Sequence, residues 1–240
     1  MKGQLLFMLP LSFAALCAIP PDAQAQDDHL GCGSLANHYG PFDYRTSTSR
    51  SIVENVHFTP KVESLRGGNT SITAGGDINY TLHVFPNHTR ALMAVMRLAE
   101  QEKKDPPRDV DYTVECWFYR GEQFRPDDAM VLALHGSYLI RSGKAQQGAA
   151  KLEAALALAG DNANIHYNLG LAFFELKQYD KALESAHRAY ALGFPLPGLR
   201  DKLKRAGKWQ EPAASGEPKA TTGVPAPIGV PPAPASMPAQ

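Results

Sequence analysis

No surplus of charge marks this chain: its 240 residues carry 24 Lys+Arg against 24 Asp+Glu. Without a net field to draw it to nucleic acid or to an anionic membrane, a partner has to be selected by local patches. Cysteine is scarce, at three residues, too few for a disulfide framework. The eight histidines are scattered and no His-Glu-x-x-His occurs. His83 and His88 stand five apart across Pro86-Asn87, so the helix-face spacing of a metal site is missing. Neither a metal nor a cofactor is expected. After the first 25 residues no apolar run approaches the roughly 20 residues that span a bilayer.

The N-terminus has what the rest lacks. Lys2, an apolar run from Leu5 to Ile19 broken by Pro10, and Ala23-Gln24-Ala25 together read as a secretory signal cleaved after Ala25. This predicts a periplasmic or secreted protein without stable membrane insertion. Lipoprotein anchoring at Cys17 is the minor alternative, since bulky Leu16 stands where such sites carry a small residue. Cleavage leaves Cys32 and Cys116 in a compartment where disulfides persist. Two readings stay open: a bridge between them, or a free Cys116 packed beside Trp117 and Phe118 as a small hydrophobe.

Residues 129–162 and 163–196 are two copies of one 34-residue unit. Gly136 recurs as Gly170, Leu139 as Phe173, Gly148 as Ala182 and Ala155 as Ala189. A period of this size predicts a stacked solenoid of helical hairpins. Within the last copy, His166, Leu169, Gly170 and Phe173 share one helix face, and Asp161 or Asn162 caps its start. A second helix begins at Tyr179 with Ala182, Ala186 and Ala189 inward. Small residues at Gly170, Ala182 and Ala189 let the paired helices approach closely.

An earlier unit over 89–128 is expected, with helices near Asn87 to Gln101 and Val110 to Gln123. It carries an insertion at Lys103 to Arg108, because Pro106-Pro107 cannot lie inside a helix. Residues 60–88 read as a degenerate hairpin, with helix starts at Thr59-Pro60 and Asp77. Residues 26–59 read as irregular. Residues 197–206 form a cap helix, with Leu199, Leu203 and Ala206 inward and the basic set from Arg200 to Lys208 outward. Residues 207–240 form a Pro/Ala-rich tail too poor in large apolar side chains to offset its ordering entropy, hence disordered or polyproline-like. It would serve as a spacer or as bait for a proline-reading partner.

Leu169-Gly170, Phe173, Ala182, Ala189 and Pro195 follow in order the pattern of a tetratricopeptide repeat, which the chain resembles from about 87 to 206. The run Gly40-Pro41-Phe42-Asp43-Tyr44-Arg45, Cys32-Gly33 and residues 193–199 also resemble a set of exported bacterial repeat proteins. The resemblance implies an all-α tetratricopeptide superhelix whose concave face, lined by the first helix of each hairpin, holds a protein or peptide. Carried over, that face comprises Arg90, Met93 and Arg97, then Met130, Ala133, Ser137 and Arg141, then Asn164, Tyr167, Asn168 and Leu171. Family members that clamp a C-terminal carboxylate carry Lys and Asn where Met93 and Arg97 stand here, so that specialised clamp is not implied.

The expected function is a non-catalytic scaffold in the cell envelope. One alternative is attachment to cell-wall polymer or polysaccharide through the basic cap helix and tail. A remoter one is a small hydrolase assembled from His57, Asp77 and Ser71. Asn69, Asn79 and Asn87 each begin a glycosylation-type triplet, which matters only in a eukaryotic secretory pathway.

Overall fold

A computed structural model of the chain describes residues 31–212. The signal segment, the Cys17 anchoring site and most of the Pro/Ala-rich tail lie outside them. The chain divides into two units, residues 1–34 and 35–240; of the first, only the irregular residues 31–34 are described. Cys32 and Cys116 are each disulfide-bonded, so neither is a free thiol. Among the described residues, ten helices are the only regular elements. None is long and apolar enough to cross a membrane.

Three short or early helices come first: α1 (Arg50–His57), α2 (Pro60–Glu63) and α3 (Ala74–Val84). Then come α4 (Thr89–Glu102), α5 (Val114–Phe124), α6 (Ala129–Arg141), α7 (Ala145–Ala159), α8 (Ala163–Glu175), α9 (Tyr179–Ala191) and α10 (Gly198–Arg205). The most extensive helix pairings are α6 with α7 and α8 with α9, followed by α7 with α8. The two 34-residue copies are thus two hairpins in series. α10 packs on both helices of the second one.

Capping residues set the helix starts. Asp128 accepts from the backbone N–H groups of Met130 and Val131, and Asn162 from those of Asn164 and Ile165, satisfying donors that the first helical turn leaves without partners. Thr113 does the same for α5. Three expected starts move: α5 begins at Val114, four residues after Val110. α3 begins three residues before Asp77, capped by Thr73. α4 is capped by the His88 ring, which accepts from the Ala91 N–H, and not by Asn87. The segment read as irregular contains α1, a helix whose single buried residue, Val53, gives sequence periodicity little to work on.

Two large apolar cores follow, beside a small cluster of Val53, Val84 and Phe85. The first joins α2 to α5 with Val131 and Leu134 of α6, around Trp117, Phe118, Leu82 and Leu92. The second joins α6 to α10, around Leu152, Phe173, Ala182, Ala186 and Leu199. Each fully buried Leu or Phe contributes about 1.5–3 kcal/mol. Close approach in the α6–α7 hairpin occurs at two glycines: a Cβ on Gly148 would stand 2.7 Å from the Gly136 carbonyl oxygen, and one on Gly136 2.9 Å from that of Gly148. In the next hairpin the tightest contact at Gly170 is the end of the Leu199 side chain, with the Ala182 carbonyl oxygen at 3.3 Å. The glycine kept between the copies therefore makes room for α10 as well as for α9.

The run from Gly40 to Arg45 is a polar lock. Asn87, fully buried, donates to Asp43 Oδ1 (2.8 Å) and Asp128 Oδ2 (3.0 Å) and accepts from the Tyr44 N–H (2.9 Å). That side chain is too enclosed to act as a glycosylation acceptor. Arg45 joins Asp43 Oδ2 (2.9 Å) to Asp127 Oδ2 (3.0 Å). Nearby, Glu54 takes hydrogen bonds from the Tyr44 hydroxyl (3.0 Å) and Arg90 (3.1 Å), and buried His88 lies 3.3 Å away.

The neighbouring His88 ring, with Tyr44 and Arg90 adding to its effect against the cost of burial, lowers the Glu54 carboxyl from 4.5 to about 2. Arg45, then Asn87, lowers Asp43 from 3.8 to about 2. A depressed folded-state value gives stability that is present above the unfolded-state value and is lost as pH falls through the folded one. Acid unfolding is accordingly expected to begin below about pH 4.5 and to steepen toward about pH 2. A circular-dichroism acid titration of Glu54→Gln should show a shallower loss over this window.

Candidate functional site

The residues carried over as a concave face do not form an open row. Arg90 makes a two-pronged ion pair with Glu63, a second with Glu54, and lies over the Phe58 ring. Arg97 donates to the Glu63 carbonyl (3.0 Å), and Arg141 pairs with Glu100. Met93 and Met130 pack against the first core. Ala133 is buried, and so is Ser137, whose hydroxyl donates to the Ala133 carbonyl. Asn168 is buried and donates to the Asn164 carbonyl. Leu171 is buried, and buried Tyr167 stacks on Phe194 at 4.0 Å. Burial pushes the Tyr167 hydroxyl up to about 12.

The physical reason is chain-specific. α2 engages the first unit's arginines, while the turn through Phe194 and α10 covers the third unit's first helix. Arg90 and Glu63 are 27 residues apart, beyond the reach of helix periodicity.

An open groove of about 900 Å³ lies beside α9. Leu169 and Phe173 of α8 line it together with Lys181, Glu184 and Arg188 of α9 and, from the chain beyond α10, Trp209. The three α9 residues share a face because they are spaced three and four apart. Arg188 pairs with Asp161, whose carboxylate also meets His166 Nε2 at 3.1 Å. Burial holds the His166 imidazole below its ordinary value. His187 Nε2 contacts the Gln210 carbonyl at 2.8 Å, and Trp209 meets the His187 ring edge-on at 5.1 Å. Aromatic surface bordered by both signs of charge suits an extended peptide better than a small polar substrate. The polar face of α9 was visible as a stripe in the sequence, but the family analogy directs attention to the first helix of each hairpin and away from the second.

His57, Asp77 and Ser71 do come together. Asp77 is fully buried. Its Oδ2 accepts from the backbone N–H groups of Asn69 (2.6 Å), Ser71 (3.0 Å) and Thr70 (3.1 Å). Its Oδ1 meets the Thr70 hydroxyl and His57 Nδ1 (2.9 Å). Burial raises the Asp77 carboxyl, and the bonds from Thr70, Ser71, Asn69 and His57 together outweigh it, so the net displacement is downward. His57 stacks on Tyr80 at 3.9 Å and, with Ser71, Asn79 and His83, lines a pocket of about 340 Å³. Every acceptor position of Asp77 is thus engaged in holding the 69–71 loop and the imidazole.

On α10, Lys202 pairs with Glu175, while Arg200, Lys204, Arg205 and, just past the helix, Lys208 are exposed and basic. Among the described residues no group of three or more His, Cys, Asp or Glu is placed to hold a metal ion. No protein-family model matches the chain, and no curated protein sequence matches it either.

Proposed function

We infer that this chain is a non-catalytic, exported helical-repeat scaffold of the tetratricopeptide kind, which holds a protein or peptide partner in the cell envelope. The observation that carries the reading is the pairing of the two sequence repeats as successive hairpins, α6 with α7 and α8 with α9, with an aromatic groove left beside α9. Repeats of this type bury their apolar faces on one another and leave an extended face for binding. The partner surface in this reading is the α9 groove, because the first-helix positions are consumed by internal contacts. A periplasmic or secreted location is supported by the N-terminal signature and by the disulfide, which persists in oxidising compartments. The hydrolase alternative is not adopted: the bonds that Asp77 makes are those required to fix its own loop.

The test is a photo-reactive residue placed at Glu184 in the exported protein, with identification of what it captures. One dominant partner is expected. Its capture should fall about tenfold when Lys181→Glu and Arg188→Glu are combined, equivalent to about 1.4 kcal/mol of binding. The Arg188–Asp161 pair is half-exposed on both sides and adds at most about 1 kcal/mol to stability, so the variant should remain folded. Capture of the same proteins at the same yield by the charge-reversed protein, or turnover of a small molecule by the purified chain, would contradict the proposal.

A further inference from the structure

The geometry points to an occupant of the α9 groove within the molecule itself: the chain's own proline- and alanine-rich segment, residues 213–240. This goes beyond the binding role above and does not depend on any external partner.

The direction of the chain after α10 is the first argument. Trp209 packs edge-on against Tyr190 at 6.2 Å and His187 at 5.1 Å, and the next carbonyl, that of Gln210, is held by His187 at 2.8 Å. His187 stands nearly one turn closer to the start of α9 than Tyr190 does. The backbone is therefore running back along α9, toward Glu184 and Lys181. Trp209 Nε1 donates to Glu211 Oε1 at 2.9 Å, and Glu211 and Pro212, the last described residues, already form part of the groove wall. The remaining stretch of α9, from His187 to Tyr179, spans about 12 Å at about 1.5 Å per residue. An extended chain covers it in about four residues at about 3.1 Å each.

Side-chain chemistry is the second argument. The segment holds Val224-Pro225-Ala226-Pro227 and Val230-Pro231-Pro232-Ala233-Pro234, short proline runs with β-branched residues between them. Such runs present a preformed ridge that docks on aromatic-lined grooves with little ordering cost. Phe173, Tyr190 and Trp209 supply the aromatic surface here. Only Glu217 and Lys219 are charged in the segment, so little charge has to be desolvated.

The third argument is the tether. A segment joined directly to Pro212, itself part of the groove wall, is present there at an effective concentration of about 1 mM. Even an intrinsic dissociation constant of about 0.1 mM then keeps the groove about nine-tenths filled. A peptide from another molecule must displace the tail, so its apparent affinity is lowered about tenfold. The tail becomes a built-in competitor that sets a threshold for partner binding.

The experiment uses the full chain. Benzoylphenylalanine is placed at Ile228, the purified protein is irradiated at low micromolar concentration, and linked peptides are mapped by mass spectrometry. Links within one molecule, concentrated on residues 179–191 and on Phe173, are expected. In parallel, acrylamide quenching of Trp209 is compared between the native chain and a Val224→Asp, Ile228→Asp, Val230→Asp variant; Trp117 is fully buried and contributes little. The variant should be quenched about twofold more strongly, because charged residues do not stay on an apolar floor. Links scattered over the surface, or equal quenching, would overturn the proposal. So would links between molecules that fade on dilution, since these would make a second copy the occupant.

Discussion

Gly148→Leu is expected to lower the unfolding free energy by about 3 kcal/mol, the upper end of what overpacking usually costs. In a chain of this size that moves the thermal midpoint down by about 6–12 °C. A Cβ at Gly148 stands 2.7 Å from the Gly136 carbonyl oxygen and 2.7 Å from Ile140 Cγ1. The first of these is backbone and cannot rotate away, so α6 and α7 have to separate along the whole hairpin. Replacing glycine within a helix gains up to about 1 kcal/mol of propensity, which the steric cost exceeds. Gly170→Ala is the informative contrast. There the tightest contact is the tip of the Leu199 side chain, which can change rotamer, so the loss should be less than half as large. Thermal unfolding followed by circular dichroism separates the two; equal losses would mean that the hairpins do not nest as described.

Asp77→Ala should cost about 3–5 kcal/mol, the range for removing one partner from a buried, charge-assisted network. Three backbone N–H groups, the Thr70 hydroxyl and the His57 ring all lose their shared acceptor. Urea unfolding measures the loss, and hydrogen exchange should show protection vanishing first across residues 67–73. His57→Ala removes only one of these contacts and should cost about 1 kcal/mol. A catalytic role would invert the ranking in a different assay, with His57→Ala abolishing an activity while leaving stability almost intact. The stability ranking alone is expected.

The parts of this fold that were legible in the sequence are those governed by local rules. The 34-residue recurrence of Gly136 in Gly170 marks the repeat, Asn162 marks a helix start, and Pro106 marks the break between α4 and α5. What was hidden depends on residues far apart in sequence. Nothing near Arg90 announces Glu63, nothing near Asn87 announces Asp43 and Asp128, and nothing near Tyr167 announces Phe194. Those pairings convert a face that reads as open in an isolated amphipathic helix into one already filled. The groove beside α9 is hidden from the sequence for the converse reason. Its members belong to four helices and the chain beyond α10, and only the packing of α8 against α9 brings Phe173 and Arg188 to one surface. His57, Asp77 and Ser71 were singled out by residue type alone; their meeting in space turns on the loop through Asn69 and Thr70.

The claim beneath the rest is that α6 and α7 touch backbone to backbone at Gly136 and Gly148. A double-mutant cycle with Gly136→Ala and Gly148→Ala tests it most directly by urea unfolding. If the two glycines share one contact, the first alanine already forces the helices apart, and the double variant should lose clearly less stability than the sum of the single losses, with a coupling of about 1 kcal/mol or more. Strictly additive losses, or no loss from either change, would contradict the account.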